Sequence, residues 1–306
     1  MMREHGSGVP DMSSVLQCND VVGESVVWCE RRQTLFWVDI VGRRLHRFHP
    51  ASGTHVVRAT AEMPTSIGLR EDDGAIIGFR HEVVLWDFED RFETLALVEA
   101  DQPDNRLNEG CVAPDGSFWV GTMQNNVDSN GGPLPISGRR GAIYRIDGAG
   151  SVRPLTGPEF AITNTFVWLD GKFVTADSLE NALYAYDWDG ADNVTGRRSF
   201  TPAYAKGLPD GSCLDAEGFI WNCRVAGGGC VVRFAADGRV DREVAVGCDS
   251  PTSCTFGGDD LSTLFVTSSR FGMQAGQFDE GLEGSLFALD VGVRGRPANR
   301  FRLAKR

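Results

Sequence analysis

The chain is poor in histidine. Its five histidines are His5, His46, His49, His55 and His81, and none follows in the rest of the 306 residues. A histidine-dependent catalytic triad or a metal site with several histidines would have to come from the first quarter of the chain. The sequence therefore argues against serine-hydrolase and zinc-peptidase chemistry. Any metal site is expected to use oxygen ligands, which suit Ca²⁺, Mg²⁺ or Mn²⁺.

The cysteine patterns of metal and redox sites are also absent. The eight cysteines form no C-x-x-C pair and no Cys/His cluster with zinc spacing. Most lie in apolar, strand-like segments, where a reduced cysteine behaves as a small hydrophobic residue. We therefore expect reduced, structural cysteines in a reducing compartment.

No segment has the run of about 20 apolar residues that a membrane helix needs. Residues 1–20 are polar and lack the apolar centre of a signal peptide. The net charge is −12, from 30 Lys and Arg against 42 Asp and Glu, and such a surface repels phosphate backbones and anionic lipids. We expect a cytoplasmic protein, a monomer or homodimer, that binds neither nucleic acid nor membranes.

Long helical periodicity is missing, and the gaps between apolar segments are rich in glycine. A sequence pattern of two consecutive predicted strands recurs instead. The first strand of each copy begins near residues 34, 75, 117, 172, 218 and 263. A strand repeat of about 40–50 residues is typical of propeller blades, and a β-sandwich or a pair of β-sandwiches is the alternative. We predict an all-β fold, a six-bladed β-propeller that forms a single domain over residues 1–306. Residues 1–15 are expected to be a disordered tail.

Polar residues near the start of each innermost strand would face the central channel of such a ring. Four of them stand out, namely Glu24, Asn108, Asn164 and Asp210. Taken singly, they can be explained as solvated, turn or buried amide residues. Taken together, they are expected at equivalent points of four blades. Oxygen ligands that converge in this way suit a hard divalent cation, and two carboxylates leave it nearly neutralised but still Lewis acidic.

These segments resemble the regucalcin/gluconolactonase (senescence-marker-protein) family of six-bladed sugar-lactone hydrolases. The resemblance extends over about residues 20–290. The matching motifs, in order, are G-E-x-x-x-W at 23–28, N-R-x-N at 105–108, P-D-G-x-x-W-x-G-T-M at 114–123, I-x-N at 162–164, P-D-G at 209–211 and P-T-x-x-x-F-G-G-x-D-L at 251–261.

The resemblance implies one divalent metal ion, Ca²⁺, Zn²⁺, Mn²⁺ or Mg²⁺, held by Glu24, Asn164 and Asp210. It implies a hydrolase that opens a sugar lactone to the aldonic acid, with Asp210 as the general base. A divalent ion stabilises the charge that develops on a carbonyl oxygen and lowers the pKa of bound water. No covalent enzyme intermediate is then needed.

The resemblance also implies that Arg106 and Asn108 bind the sugar. Asn126 lies where some relatives carry a substrate-binding acid, and we expect it to take that place. Two departures from the family pattern are Glu109 for the usual Asp and Thr165 for the usual Gly. Which sugar lactone is the substrate stays open.

Arg224, in a glycine-rich segment at 224–229, offers a further cation near the mouth of the site, and a solvated arginine beside a hairpin explains it equally well. Two other functions remain open. A phosphotriesterase or aryl esterase on the same scaffold needs an apolar pocket, and the polar segment 105–108 favours sugar instead. A non-enzymatic Ca²⁺-binding propeller would have no reason to bring Arg106 and Asn108 beside a metal.

Overall fold

The computed structural model describes residues 14–274 and 282–304. In these residues the regular structure consists of strands arranged in six sheets. This arrangement confirms the six-bladed β-propeller predicted from the repeats. No helix in the described ranges has the length and apolar character to cross a bilayer.

The strands are numbered in chain order. They are β1 Ser14–Leu16, β2 Gly23–Cys29, β3 Thr34–Asp39, β4 Arg44–His49, β5 Thr54–Ala59, β6 Ser66–Arg70, β7 Ala75–Gly78, β8 Glu82–Trp86, β9 Phe92–Leu97, β10 Asn105–Val112, β11 Phe118–Gln124, β12 Ile143–Ile146, β13 Val152–Pro154, β14 Thr163–Leu169, β15 Lys172–Asp177, β16 Ala182–Trp188, β17 Val194–Thr201, β18 Leu208–Leu214, β19 Ile220–Val225, β20 Cys230–Phe234, β21 Val240–Ala245, β22 Pro251–Gly257, β23 Thr263–Ser268, β24 Leu286–Asp290 and β25 Arg300–Phe301.

The ring is closed by a strand from the beginning of the chain. Five sheets are built on four consecutive strands each, from β2–β5 to β18–β21, whereas the sixth combines β22–β24 with β1. Ser14 of β1 lies opposite Phe287 of β24, so the last sheet gains its outer strand. Ser14 and Val15 were expected in a disordered tail, and this is wrong because they pair in a strand. The rest of that expected tail, residues 1–13, lies outside the described residues.

The first strand of each sequence repeat lies second in its blade, next to the inner strand, and it is largely apolar because neighbouring blades bury it on both faces. Trp37 on β3, Trp119 on β11 and Trp221 on β19 are fully buried. Each indole N–H donates to a nearby polar side chain, which satisfies the one polar atom of a large apolar residue. Packing of this kind holds the inner strands in fixed positions around the axis.

Five of the six inner strands contain a one-residue bulge near their beginning. In β2, the register passes from Glu24 opposite Val38 to Val27 opposite Phe36, so three residues advance against two. The same shift occurs in β10, β14, β18 and β22, while β6 pairs without one. A bulge bends the strand and changes the direction of its side chains. The bulges lie where the sequence predicts the functional residues.

An element that the repeats did not predict joins the second sheet. The short strand β25 pairs in parallel with β6, and Arg300 lies opposite Leu69. The segment just before it, residues 296–299, lines a cavity of about 360 Å³ together with the inner strands. The chain therefore crosses one end of the central channel after the ring is complete.

Candidate functional site

The predicted site residues come together in one place. A pocket of about 160 Å³ lies on the ring axis at the beginning of the inner strands. All six predicted residues line it: Glu24, Arg106, Asn108, Asn126, Asn164 and Asp210. Except for the more open Asn126, these side chains are buried, so their interactions with each other are weakly screened by water.

The four candidate oxygen ligands do not occupy equivalent positions, contrary to the expectation from the sequence. Glu24 and Asn164 are the last residues before their bulges, whereas Asn108 and Asp210 are the first residues inside theirs. A bulged strand sets two residues against one on its neighbour. Consecutive positions of different blades can therefore face the same pocket.

Glu24 and Asp210 form a close pair of carboxyl groups. Burial and the charge of Glu109 raise the pKa of Glu24, while a backbone N–H from Ser25 lowers it only in part. Burial and the neighbouring Glu24 raise the pKa of Asp210 well above its usual range. Glu24 and Asp210 also hydrogen-bond to each other. Two buried carboxylates repel each other unless they share a proton or a cation.

The side chain of Asn164 is oriented by Ser178. The Ser178 hydroxyl donates to the Pro209 carbonyl at 2.7 Å, so it must accept from the Asn164 Nδ2 group, 2.8 Å away. This assignment leaves Asn164 Oδ1 toward Asn108, whose Nδ2 lies 3.3 Å away. An amide oxygen therefore faces the same pocket as the two carboxylates.

The backbone of Asp210 is held from a neighbouring blade. The Thr165 hydroxyl donates to the Asp210 carbonyl at 2.5 Å, and Asn222 Nδ2 donates to it at 3.1 Å. Thr165 has a φ of 56°, in the left-handed region that glycine adopts freely and that β-branched residues rarely adopt. Glycine, the residue that the family resemblance implies at this position, would adopt this conformation without strain. The hydrogen bond to Asp210 offsets the strain of the threonine.

The interpretation of Arg224 as a solvated arginine is wrong, and the residue does not line the pocket, although its positive charge lowers the pKa of Asp210. It is fully buried, and Nη1 donates to Asn222 Oδ1 at 3.1 Å. Its other N–H groups reach Asn181 Oδ1 and the carbonyls of Lys206 and Gly207. Arg224 therefore supports Asn222, which in turn holds Asp210. Nothing in the sequence indicated that Arg224 would support Asn222. Nothing indicated that Ser178 would orient Asn164 either.

Arg106 carries a buried charge whose hydrogen-bond acceptors are all neutral. Nη1 donates to the Leu107 carbonyl at 2.9 Å and to Asn108 Oδ1 at 2.7 Å, and Nη2 donates to Asn126 Oδ1 at 2.9 Å. Nε is buried and has no acceptor among the described residues. Burial lowers the pKa of Arg106 to about 10, against the charge of Glu24, which raises it. The guanidinium is thus still cationic at neutral pH.

The polar segment 105–108 contributes less to the pocket than its sequence suggests. Asn105 points away and donates to Glu99 Oε2 at 2.7 Å and to the Arg140 carbonyl at 3.3 Å. About half of the residues that line the pocket are apolar, namely Val22, Ile40, Val41, Met123, Val127, Ile162, Leu208, Val225 and Phe271. The pocket therefore combines a polar group of side chains that includes the two carboxylates with apolar side chains that form the rest of its wall.

The donors in this pocket could hold a divalent cation. Within residues 14–274 and 282–304, no three His, Cys, Asp or Glu side chains are grouped so that they could hold a metal ion. Glu24, Asp210 and Asn164 instead combine two carboxylates with one amide oxygen, a set that hard cations accept. Burial and the nearby carboxyl groups raise the pKa of both Glu24 and Asp210, so a bound cation would favour their charged forms. The residues therefore fit such an ion.

Comparison with known proteins shows similarity over nearly the whole chain. A family model described as SMP-30/Gluconolactonase/LRE-like region matches residues 22–270. The chain is 35% identical to 6-deoxy-6-sulfogluconolactonase of Pseudomonas putida over 93% of this chain and 97% of that protein. It is 32% identical to regucalcin of Gallus gallus, over 90% and 93%. The solved structure of the calcium-binding protein regucalcin from Agrobacterium tumefaciens superimposes with a TM-score of 0.84 at 29% identity, covering 96% of each chain.

Proposed function

The chain belongs to the SMP-30/gluconolactonase/LRE-like family and is a sugar lactonase, and on this premise we propose that it is a metal-dependent hydrolase. It would open a sugar lactone to the corresponding aldonic acid. The pair of buried carboxyl groups formed by Glu24 and Asp210 is the observation that carries the proposal. A divalent cation would relieve their repulsion, with Asn164 Oδ1 as a third ligand. When bound, such an ion provides a Lewis acid and lowers the pKa of a water molecule.

The residues of the chain then divide the remaining work. Asp210 accepts a proton from the attacking water as the general base, and Thr165 and Asn222 hold its backbone in place. The water oxygen bonds to the carbonyl carbon, and the ring oxygen leaves and takes up a proton. Arg106 and Asn108 hold the lactone beside Asp210. Because water is the nucleophile, the reaction needs no histidine-activated side chain.

We further propose that the lactone carries an anionic substituent. Arg106 donates three hydrogen bonds to neutral oxygens, and its Nε has no acceptor among the described residues. Asn126 supplies an uncharged partner where some similar sequences have an acid. A guanidinium without a bonded carboxylate favours carboxylate, sulfonate or phosphate groups. The Pseudomonas putida relative is named for a sulfonated sugar lactone, and this name supports an anionic substituent on the substrate.

A second candidate activity is hydrolysis of aryl esters or phosphotriesters. The apolar half of the pocket wall favours it, since such substrates bury apolar groups beside the reacting centre. The carboxylate pair and the proposed ion would serve this reaction as well. Direct competition between substrate classes separates the two activities.

Purified protein should release acid from aldonolactones, lose this activity after chelation and regain it when a divalent ion is added. We expect Ca²⁺ to restore it, because the donors are all oxygens, and Mg²⁺, Mn²⁺ and Zn²⁺ form the comparison set. The panel should include neutral lactones, lactones with a carboxylate or phosphate, an aryl ester and a phosphotriester. Higher kcat/KM for the aryl ester than for every lactone would favour the second candidate. Turnover that chelation does not change would contradict metal dependence.

Glu24→Gln should weaken metal binding sharply, because it removes one of two carboxylates from the proposed ligand set. Metal content after dialysis and the rise in Tm on adding Ca²⁺ both measure this effect. Glu89→Gln is the matched control, because this carboxyl group is exposed in the loop between β8 and β9 and does not line the pocket. It should retain the ion. Full metal occupancy in Glu24→Gln would mean that the ion binds elsewhere.

A further inference from the structure

A group of cysteines lies beyond the bulges, at the end of the channel that is crossed by residues 296–299. Cys111, Cys213 and Cys254 line the cavity of about 360 Å³ there. They come from the inner strands β10, β18 and β22 of three different sheets. The proposed lactonase mechanism uses none of them, and all eight cysteines of the chain are free thiols.

Two of these thiols are within reach of each other. The Sγ atoms of Cys213 and Cys254 are 3.5 Å apart. Cys213 is half-buried and Cys254 is buried, at 3% exposure. The two residues belong to neighbouring sheets, so a bond between their sulfurs would join two blades. A disulfide needs a separation of about 2.05 Å, which requires a small movement of both side chains toward each other.

The environment also favours a reactive sulfur at Cys254. Burial alone would raise its pKa, but the neighbouring Cys213 and Cys223 thiols lower the pKa below the ordinary value, and Cys213 Sγ is in contact with it. The thiolate is the form of cysteine that attacks electrophiles. Cys111, by contrast, has a raised pKa because of burial and the charge of Glu109. The pair and the cavity beside it provide a nucleophile, a resolving thiol and space for a small oxidant.

We propose that Cys213 and Cys254 are a redox-active pair and that hydroperoxides oxidise the two thiols to a disulfide between them. Hydrogen peroxide first oxidises Cys254 to a sulfenic acid: sulfur bonds to one peroxide oxygen, the O–O bond breaks, and one water leaves. The Cys213 sulfur then attacks the sulfenic sulfur, the S–O bond breaks, and a second water leaves. The peroxide is reduced and the two thiols are oxidised by two electrons. The product links β18 to β22, three residues after Asp210 on β18.

Peptide mapping of the folded, full-length protein tests this proposal. The protein is treated with hydrogen peroxide, its remaining thiols are alkylated, and it is digested without reduction. We expect a linked peptide pair that contains Cys213 and Cys254, about 2 Da lighter than the two thiol peptides together, and its disappearance after dithiothreitol. Catalytic activity plays no part in this readout, so the result is independent of the proposed lactonase mechanism.

Variants separate this pair from its neighbours. Cys213→Ser and Cys254→Ala should abolish the linked peptide, whereas Cys111→Ser, which changes another thiol of the same cavity, should retain it. A thermal unfolding transition measured before treatment establishes that each variant is folded. If Cys254→Ala does not fold, Cys213→Ser alone provides the test. A linked pair that includes Cys111 or Cys223 would overturn the proposal. The same holds if the treated wild-type protein retains eight alkylatable thiols, or if either cysteine proceeds to a sulfinic acid without a linked product.

Discussion

Asp210→Asn should reduce lactone turnover by about a thousand-fold or more. Removal of a general base typically costs about 10²–10⁴ in rate, and the substitution also takes one negative charge from the proposed metal ligands. Asparagine keeps nearly the same shape, and the Thr165 and Asn222 hydrogen bonds reach the backbone carbonyl rather than the side chain. The fold should therefore persist. The measurement is kcat at saturating metal, with metal content determined on the same sample.

Asp237→Asn provides the control, because this carboxyl group lies exposed in a turn between β20 and β21 and should leave kcat unchanged. If the Asp210→Asn variant binds its full complement of metal at high Ca²⁺ and still fails to turn over lactone, the loss of kcat is due to the missing general base. Recovery of wild-type kcat at high Ca²⁺ would instead leave Asp210 as a ligand only. Wild-type kcat at ordinary metal concentration would remove Asp210 from both roles.

The number of blades could be predicted from the sequence because one strand of each blade is buried on both faces and therefore consists mainly of apolar residues. The strands beside the inner ones are largely apolar and largely buried, and Trp37, Trp119 and Trp221 on three of them are fully buried. Their spacing along the chain therefore follows the repeat of the fold. The closure by β1 and the added strand β25 were not predicted. Both segments are short and pair far along the sequence, so no local pattern marks them.

The membership of the pocket was also readable, but its geometry was not. Motifs identified Glu24, Arg106, Asn108, Asn126, Asn164 and Asp210, and all six line the pocket. The one-residue bulges decide which consecutive side chain faces the axis, and no residue type identifies a bulge. Asn105 was taken as part of the polar pocket because it is next to Arg106 in the sequence, but its side chain bonds to Glu99 outside the pocket.

Residues that act by holding others were the hardest to predict. Ser178, just after β15, orients Asn164 on β14, and Arg224 supports Asn222, two residues away on β19, while its other N–H groups bond to distant loops. Serine and arginine occur at many surface positions, so their identity alone carries no signal. Only the fold brings such residues next to the groups they orient. A buried arginine with carbonyl partners also looks the same in the sequence as a solvated one.

Arg106→Ala should reduce kcat/KM by about a hundred-fold, because a positioned donor to a developing negative charge is typically worth about 3 kcal/mol. Arginine is always cationic and is not expected to bind the metal ion, so metal content and Tm should change little. Since the proposed substrate is anionic, most of the loss should appear in KM and should shrink at high salt. The measurement compares a neutral and an anionic lactone at two salt concentrations.

Arg106→Lys separates charge from geometry in the same experiment. Lysine keeps the positive charge but lacks the planar fork of donors. It should therefore recover part of the preference for the anionic lactone and little of the turnover of the neutral one. Equal losses for both lactones in Arg106→Ala, with no effect of salt, would mean that Arg106 binds hydroxyl or carbonyl oxygens and that the substrate is uncharged. Wild-type kinetics on every lactone would remove Arg106 from substrate binding, because a buried guanidinium that contacts the substrate cannot be lost without cost.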